Sequence, residues 1–488
     1  MLASLFKAIP AVPEFILAMS TLISLIAGLF KSKRVTLLTF CTIFGSLIFL
    51  CALLIFSTKS DQFFWHGLFI HTPFLDHAKV IIYSISALTF FCLYSCLEEY
   101  HIKEYEWLIV AAFTVIGGSV ALSSNHFLTF FIGLELSHLS QYLLVSANRD
   151  SSKSSEASIK FFTIGTISTA LMLFGISLIY GFTGTNDFNS LYYFFDTHVY
   201  NFHHSGAIIG MFFVLIGLCF KLPVAPFHAW APDVYQASPL PVLVFIGTIP
   251  KIITTFCLLH LVSYPFYGIF TYWRYLFVGL ALLSIIWGPL AALRQTNLKR
   301  MMAYSAVGNM GFLLMGAAMG SELGIESTLV YVIIYALNMT GALTLLAIFE
   351  KRFKPIENVT DLSGIMQQTP MLGSIFCLFI LSLAGIPPLP GFFAKAYILL
   401  AVTSRSAYIL AIIAVITTVI STAYYLNVLK HFVLNQTSVN IVSIGYSKKY
   451  LLKTVITLTF LVTFSFVIFP SLILEPCRSM AASVLFNK

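Results

Sequence analysis

Residues 371–402 read MLGSIFCLFILSLAGIPPLPGFFAKAYILLAV, with one charge, Lys395, and three closely spaced prolines, Pro387, Pro388 and Pro390. About 20 apolar residues cross the roughly 30 Å of hydrocarbon in a bilayer, so the stretch has length to spare. Proline inside a helix removes a hydrogen bond and collides with the preceding turn. The stretch therefore reads as a membrane span broken near its middle, with an ammonium group just past the break. A second apolar segment, 207–235, is built the same way around Lys221-Leu222-Pro223-Val224-Ala225-Pro226-Phe227-His228.

The rest of the chain agrees. Its 488 residues are 59% hydrophobic and 9% charged, where a soluble domain carries about 25% charged residues. Lipid is the solvent for most of such a chain, and in lipid every backbone group must be satisfied internally, by helices or a closed barrel. The apolar runs are continuous rather than alternating, which argues for helices. The expected fold is an all-α polytopic membrane protein of about fourteen spans: 12–30, 35–56, 78–97, 107–123, 127–146, 157–182, 207–235, 239–262, 275–293, 301–319, 327–349, 371–402, 408–429 and 451–470. The first is long for a signal segment and lacks a small-residue cleavage pattern, so it reads as a mature span.

Basic loops give the orientation. Of 27 Lys and Arg residues, sixteen fall in loops after odd-numbered spans, among them Lys31, Lys33, Arg34, Lys103, Arg149, Lys153, Arg294, Arg300, Lys351, Arg352, Lys354 and Lys448, while six fall on the opposite side: Lys7, Lys59, Arg274, Arg405, Arg478 and Lys488. Both termini are thus expected outside the cytoplasm. The net charge of +8 reflects this asymmetry; no nucleic-acid-binding motif accompanies it. The eight cysteines lie almost entirely within apolar runs without a Cys-x-x-Cys pair, as small apolar residues do. No iron–sulfur, flavin or nucleotide motif appears, and no histidine spacing suits a metal.

Five lysines remain inside spans: Lys79, Lys160, Lys221, Lys251 and Lys395. A charged side chain at a helix centre costs about 2.5–3.5 kcal/mol even on a lenient insertion scale. Lys79, at a helix start, is expected to snorkel to the headgroups. Lys160, about one turn inside its helix after a serine-rich loop, can snorkel or stay buried. Lys251 and Lys395 are the sole charges of their spans and cannot easily reach an interface, which marks them for proton handling. Glu135, the sole charge of its span, is the one acid sharing the environment of Lys221. Burial disfavours the charged form of either group and a partner's charge restores it, so opening or closing such a pair moves protons. His228, seven residues after Lys221, either relays protons across the break or is a hydrogen-bonded membrane histidine.

Paired broken helices in corresponding halves point to a transport path at mid-membrane. The chain divides into an N-terminal three-helix segment (1–106), two five-helix units (107–262 and 263–430), each with a broken helix in fourth place, and a C-terminal helix and tail (431–488). An odd number of helices per unit makes the second copy inverted.

The stretches Gly133-Leu134-Glu135-Leu136, Glu156-Ala157-Ser158-Ile159-Lys160-Phe161-Phe162, Pro226-Phe227-His228-Ala229-Trp230-Ala231-Pro232-Asp233-Val234-Tyr235, Asn297-Leu298-Lys299-Arg300-Met301-Met302-Ala303-Tyr304-Ser305 and Ser382-Leu383-Ala384-Gly385-Ile386-Pro387-Pro388 resemble the antiporter-like membrane subunits of respiratory complex I, the NADH:quinone oxidoreductase. The resemblance implies that Glu135 pairs with Lys221, that Lys251 is the central relay, that Lys395 leads to the exit, and that Lys160 matches the family's sixth-helix lysine. A lysine at the twelfth-helix position points away from the M-type subunit, and the length points away from the L-type, leaving the N-type. It further implies a bacterial inner-membrane location and other membrane-arm subunits, M-type and small ones, as partners. This chain would bind no cofactor; NADH, FMN, iron–sulfur clusters and quinone belong to other subunits. A cation/proton antiporter of related fold is the alternative. Two departures from the family stand out: Asn309 where a tenth-helix histidine is usual, and Pro250 before Lys251.

Overall fold

The computed structural model describes residues 12–30, 35–55, 62–96, 105–148, 151–197, 204–350, 356–434 and 449–486. Of the basic residues behind the orientation, Lys7, Lys31, Lys33, Arg34, Lys59, Lys103, Arg149, Lys351, Arg352, Lys354, Lys448 and Lys488 lie outside the described residues.

The helices in chain order are α1 (Val12–Leu29), α2 (Val35–Ile55), α3 (Pro73–Cys96), α4 (Glu106–Ser123), α5 (Phe127–Val145), α6 (Ser152–Thr183), α7 (Phe188–Thr197), α8 (His204–Lys221), α9 (Trp230–Ala237), α10 (Leu240–Ser263), α11 (Phe270–Leu293), α12 (Leu298–Ala317), α13 (Glu322–Phe349), α14 (Ile365–Gln368), α15 (Pro370–Ala384), α16 (Pro390–Ser404), α17 (Tyr408–Leu434), α18 (Lys449–Ile468) and α19 (Ser471–Phe486). Eleven are individually long and apolar enough to cross a membrane. With α12 and the two broken pairs, α8/α9 and α15/α16, the described residues make the fourteen crossings expected. Four starts lie five residues earlier than expected: α3 at Pro73, α6 at Ser152, α11 at Phe270 and α13 at Glu322. Polar first-turn residues hid them, because a helix can begin in the headgroup region before its apolar run. The sequence reading also missed α7, α19 and a short hairpin of β1 (Gln62–Phe64) and β2 (Phe69–His71).

Local chemistry sets the helix ends. Asn297 and Ser321 cap α12 and α13 by accepting from the N–H groups of Arg300 and Gly324, each at 3.1 Å. Capping side chains satisfy donors that have no partner within the helix. Gly184 ends α6 in the left-handed region at φ 74°, its N–H donating to Tyr180 O.

A helix apolar on all sides is buried on all sides. All 24 residues of α10 are buried, α13 is nearly so, and the two pack together at the centre of the molecule. Outer helices instead show Phe15, Ile26, Ile132, Leu283, Ile409, Val419 and Leu461 to the surroundings, a surface suited to lipid tails. The pairs α4 with α5 and α11 with α12 meet backbone to backbone through glycine. A Cβ on Gly133 of α5 would stand 2.5 Å from Ala121 N of α4, and one on Gly288 of α11 would stand 2.5 Å from Gly308 N of α12.

Candidate functional site: a buried lysine path

Lys221 is the last residue of α8, where the break begins. Its Nζ lies 3.2 Å from Glu135 Oε1, and its side chain is 3% exposed. The same carboxylate oxygen accepts from Thr169 Oγ1 of α6 at 2.7 Å. The break is held in shape from both sides: Trp230 Nε1 donates to Phe220 O at 2.9 Å, and Ala225 N donates to Ser284 Oγ of α11 at 2.9 Å. A cation at a helix C-terminus also meets the negative end of the helix dipole. His138, one turn after Glu135, is buried in the field of Lys221; the sequence reading had passed over it.

Lys251 sits in the middle of α10, which continues through Pro250. Hydroxyls rather than a carboxylate hold it. Its Nζ donates to Tyr235 OH at 2.5 Å and to Tyr335 OH at 2.9 Å, and it lies 5.1 Å from the centroid of each ring. Tyr235 comes from α9, just past the first break, and Tyr335 from α13. Lys251 is thus tied to both α9 and α13.

Lys395 reaches back across the second break to the end of α15. Gly385 closes that helix at φ 85°, its N–H donating to Leu381 O and Ser382 O. The next two carbonyls, Leu383 O and Ala384 O, are left to accept from Lys395 Nζ at 3.2 and 2.9 Å. Unsatisfied carbonyls at a helix end carry partial negative charge, so the broken helix itself supplies the counter-charge.

A small cavity lies between Lys395 and Tyr335, the tyrosine that holds Lys251. It is lined by Tyr335, Asn338, Ser382, Asn309 and Lys395, among others. Asn338 Nδ2 donates to Ser382 Oγ at 3.0 Å, and Tyr331 OH donates to Asn309 Oδ1 at 3.0 Å. Asn309 therefore faces the same cavity as Lys395 as a hydrogen-bonding group.

Of the two readings of Lys160, the exposed one holds: its side chain is 48% exposed, paired with Glu156 at 2.7 Å and with Asp233 at 3.2 Å, while Asp233 also binds Arg300 at 2.7 Å. The helix begins at Ser152, so Lys160 lies two turns in, on a face that meets the surface. Lys79 does not snorkel: its side chain is 3% exposed and its Nζ lies 2.7 Å from Glu14 Oε1. Besides Glu135, the spans hold the buried acids Glu14, Asp76 and Glu326. His228 is half-buried, its ring 6.3 Å from that of Trp287 and 6.0 Å from that of Tyr304.

The family described as NADH:quinone oxidoreductase/Mrp antiporter, transmembrane, matches residues 124–421. The chain belongs to this family. Among antiporter-type relatives, the NADH-quinone oxidoreductase subunit N of Granulibacter bethesdensis is 35% identical over 450 residues, covering 89% of this chain and 93% of its own length. A chain of respiratory complex I from Thermus thermophilus shares the fold with a TM-score of 0.76 at 24% identity, over 95% of this chain and 98% of that one. A chain of the Mrp complex from Dietzia sp. superposes with a TM-score of 0.86 at 18% identity, over 98% of each. The antiporter-type fold thus serves more than one kind of membrane complex.

Proposed function

We propose that this chain is the N-type antiporter-like subunit of an NADH:quinone oxidoreductase and that it carries protons along Glu135–Lys221, Lys251 and Lys395. The observation that carries this reading is Lys251: an ammonium group in the middle of a fully buried helix, held by two tyrosine hydroxyls. Hydrocarbon tolerates such a group at a cost, and the cost has a use if the group gains and loses H⁺. The Glu135–Lys221 pair closes to hold charge and opens to release it. Tyr235 passes the proton to Lys251, Tyr335 passes it to the cavity at Asn338 and Ser382, and Lys395 delivers it to the far side. The exposed Lys160, with Glu156, Asp233 and Arg300, forms a charged mouth that gathers protons, and His228 lends a titratable group at the first break.

The two units are 107–262 and 263–430, with five crossings each and hence opposite orientation in the membrane. Basic loops put both termini outside the cytoplasm of a bacterial inner membrane. The chain holds no redox centre of its own; NADH, FMN, iron–sulfur clusters and quinone belong to partner subunits, and M-type and small membrane subunits adjoin it. Moving one charge against 100 mV costs about 2.3 kcal/mol, so the partners must bias the path by at least that much per proton. Hard cations such as Na⁺ favour clustered oxygen ligands, whereas the carboxylate beside this path is matched to a lysine and a threonine hydroxyl. That favours protons over a cation antiport. Gentle solubilisation and purification through this chain tests the assignment. NADH-oxidising partners in the purified assembly support it, and an assembly that lacks them overturns it.

A further inference from the structure

Beyond the lysine path, the N-terminal helices carry a second column of buried polar groups. Asp76, Lys79, Tyr83 and Ser86 are spaced three or four apart on α3, so they share one helix face, and all four are buried. Glu14 Oε1 on α1 lies 2.7 Å from Lys79 Nζ and accepts from Ser123 Oγ on α4 at 2.7 Å. Its other oxygen, Oε2, is buried without a hydrogen-bond partner, as is Ser86 Oγ. Tyr83 lies beside Ser119, one turn before Ser123. At the near end Asp76 meets His71 of β2 at 2.9 Å, and the His71 side chain is 19% exposed, so the column begins at the surface.

A structural reason for this column is weak. A buried ion pair is commonly replaceable by well-packed apolar residues at no loss of stability, and polar atoms without protein partners are where buried water is found. The depth is also informative. Phe74 meets Phe256 and Phe90 meets Phe245, with ring centroids 6.2 and 6.0 Å apart, so α3 runs antiparallel against α10. In that register the level of Lys251 falls between Lys79 and Tyr83.

We propose that Glu14–Lys79 is a second proton-handling pair, which gives the level of Lys251 a hydrated path to the face where His71 lies, outside the two five-helix units. The Lys79 ammonium gives its proton to the Glu14 carboxylate, leaving an amine and an acid. The acid passes the proton on through Ser123 and water towards Asp76 and His71, and the amine takes up the next one. The idea rests on the reading of the chain as a proton carrier.

Two variants of the full complex in sealed vesicles test it, with Lys221→Ala as control and proton flux per NADH oxidised as the readout. Lys79→Arg keeps a cation beside Glu14 but cannot release a proton. The Glu14→Gln, Lys79→Met pair removes both charges together, leaving no uncompensated ion. A structural bolt tolerates both changes, whereas a proton-handling pair tolerates neither. Loss of flux in both variants, with the complex assembled, is the expected result. Full flux in either one overturns the proposal. If Lys221→Ala loses flux while the pair variants keep it, only this proposal fails; if Lys221→Ala also keeps full flux, the lysine path fails first.

Discussion

Replacing Glu135 by glutamine keeps the shape of the side chain and removes its charge. Thr169, which donates to the carboxylate at 2.7 Å, can donate equally to the amide oxygen, so the change isolates the ion pair. Lys221, 3.2 Å away and 3% exposed in its side chain, is left without its anion. Two unit charges at that separation attract by about 5 kcal/mol at an effective dielectric constant near 20. Removing one partner of a buried pair costs about 3–5 kcal/mol. The Glu135 side chain is 19% exposed, which favours the lower end. At 1.36 kcal/mol per tenfold, about 3 kcal/mol is a change of more than ~100-fold in the ratio of charged to neutral Lys221, and a flux that needs the charged form should fall to about 1%. The assay is NADH-driven acidification of inverted membrane vesicles, with NADH oxidation measured again after an uncoupler to separate electron transfer from pumping. Undiminished acidification in both Glu135→Gln and Lys221→Ala, at normal levels of assembled complex, would remove the pair from the path.

The backbone contact of α4 with α5 gives a packing test. Gly133→Leu forces a side chain against Ala121 N, where a Cβ alone would stand 2.5 Å away; overpacking typically costs about 1–3 kcal/mol, so the amount of chain in the membrane should drop. Gly279→Ala, which meets nothing within 4 Å, should leave it unchanged, and equal accumulation of the two variants would refute the packing argument. Lys160→Ala removes an exposed pair, so the chain should accumulate normally and keep more flux than Lys221→Ala; a loss as deep as that of Lys221→Ala would put Lys160 on the buried path.

The broken helices and their lysines were legible because prolines and isolated charges in apolar runs are local signals. Lys251 and Lys395 could be singled out from single stretches of sequence. Their partners could not. Tyr335 lies 84 positions from Lys251, and only the packing of α13 on α10 brings the two together. Lys79 was misjudged because the span was read from Ala78, whereas the helix begins at Pro73 and carries the lysine past the headgroups. Glu14, in the first turn of α1, looks like an ordinary acid at a helix N-terminus; α3 and α4 closing over it bury it. For Lys160 the sequence left exposure and burial open, since spacing along a helix does not tell which face meets the surroundings.

Lys251 is the centre of the account, and Lys251→Met tests it most directly. Methionine fills a similar volume and removes the cost of desolvating a buried charge, which offsets the partner that Tyr235 and Tyr335 lose, so the complex should assemble. The measurement is the number of protons moved per NADH oxidised by the purified complex in proteoliposomes. The account expects that ratio to fall while electron transfer in the uncoupled state continues; an unchanged ratio would contradict it.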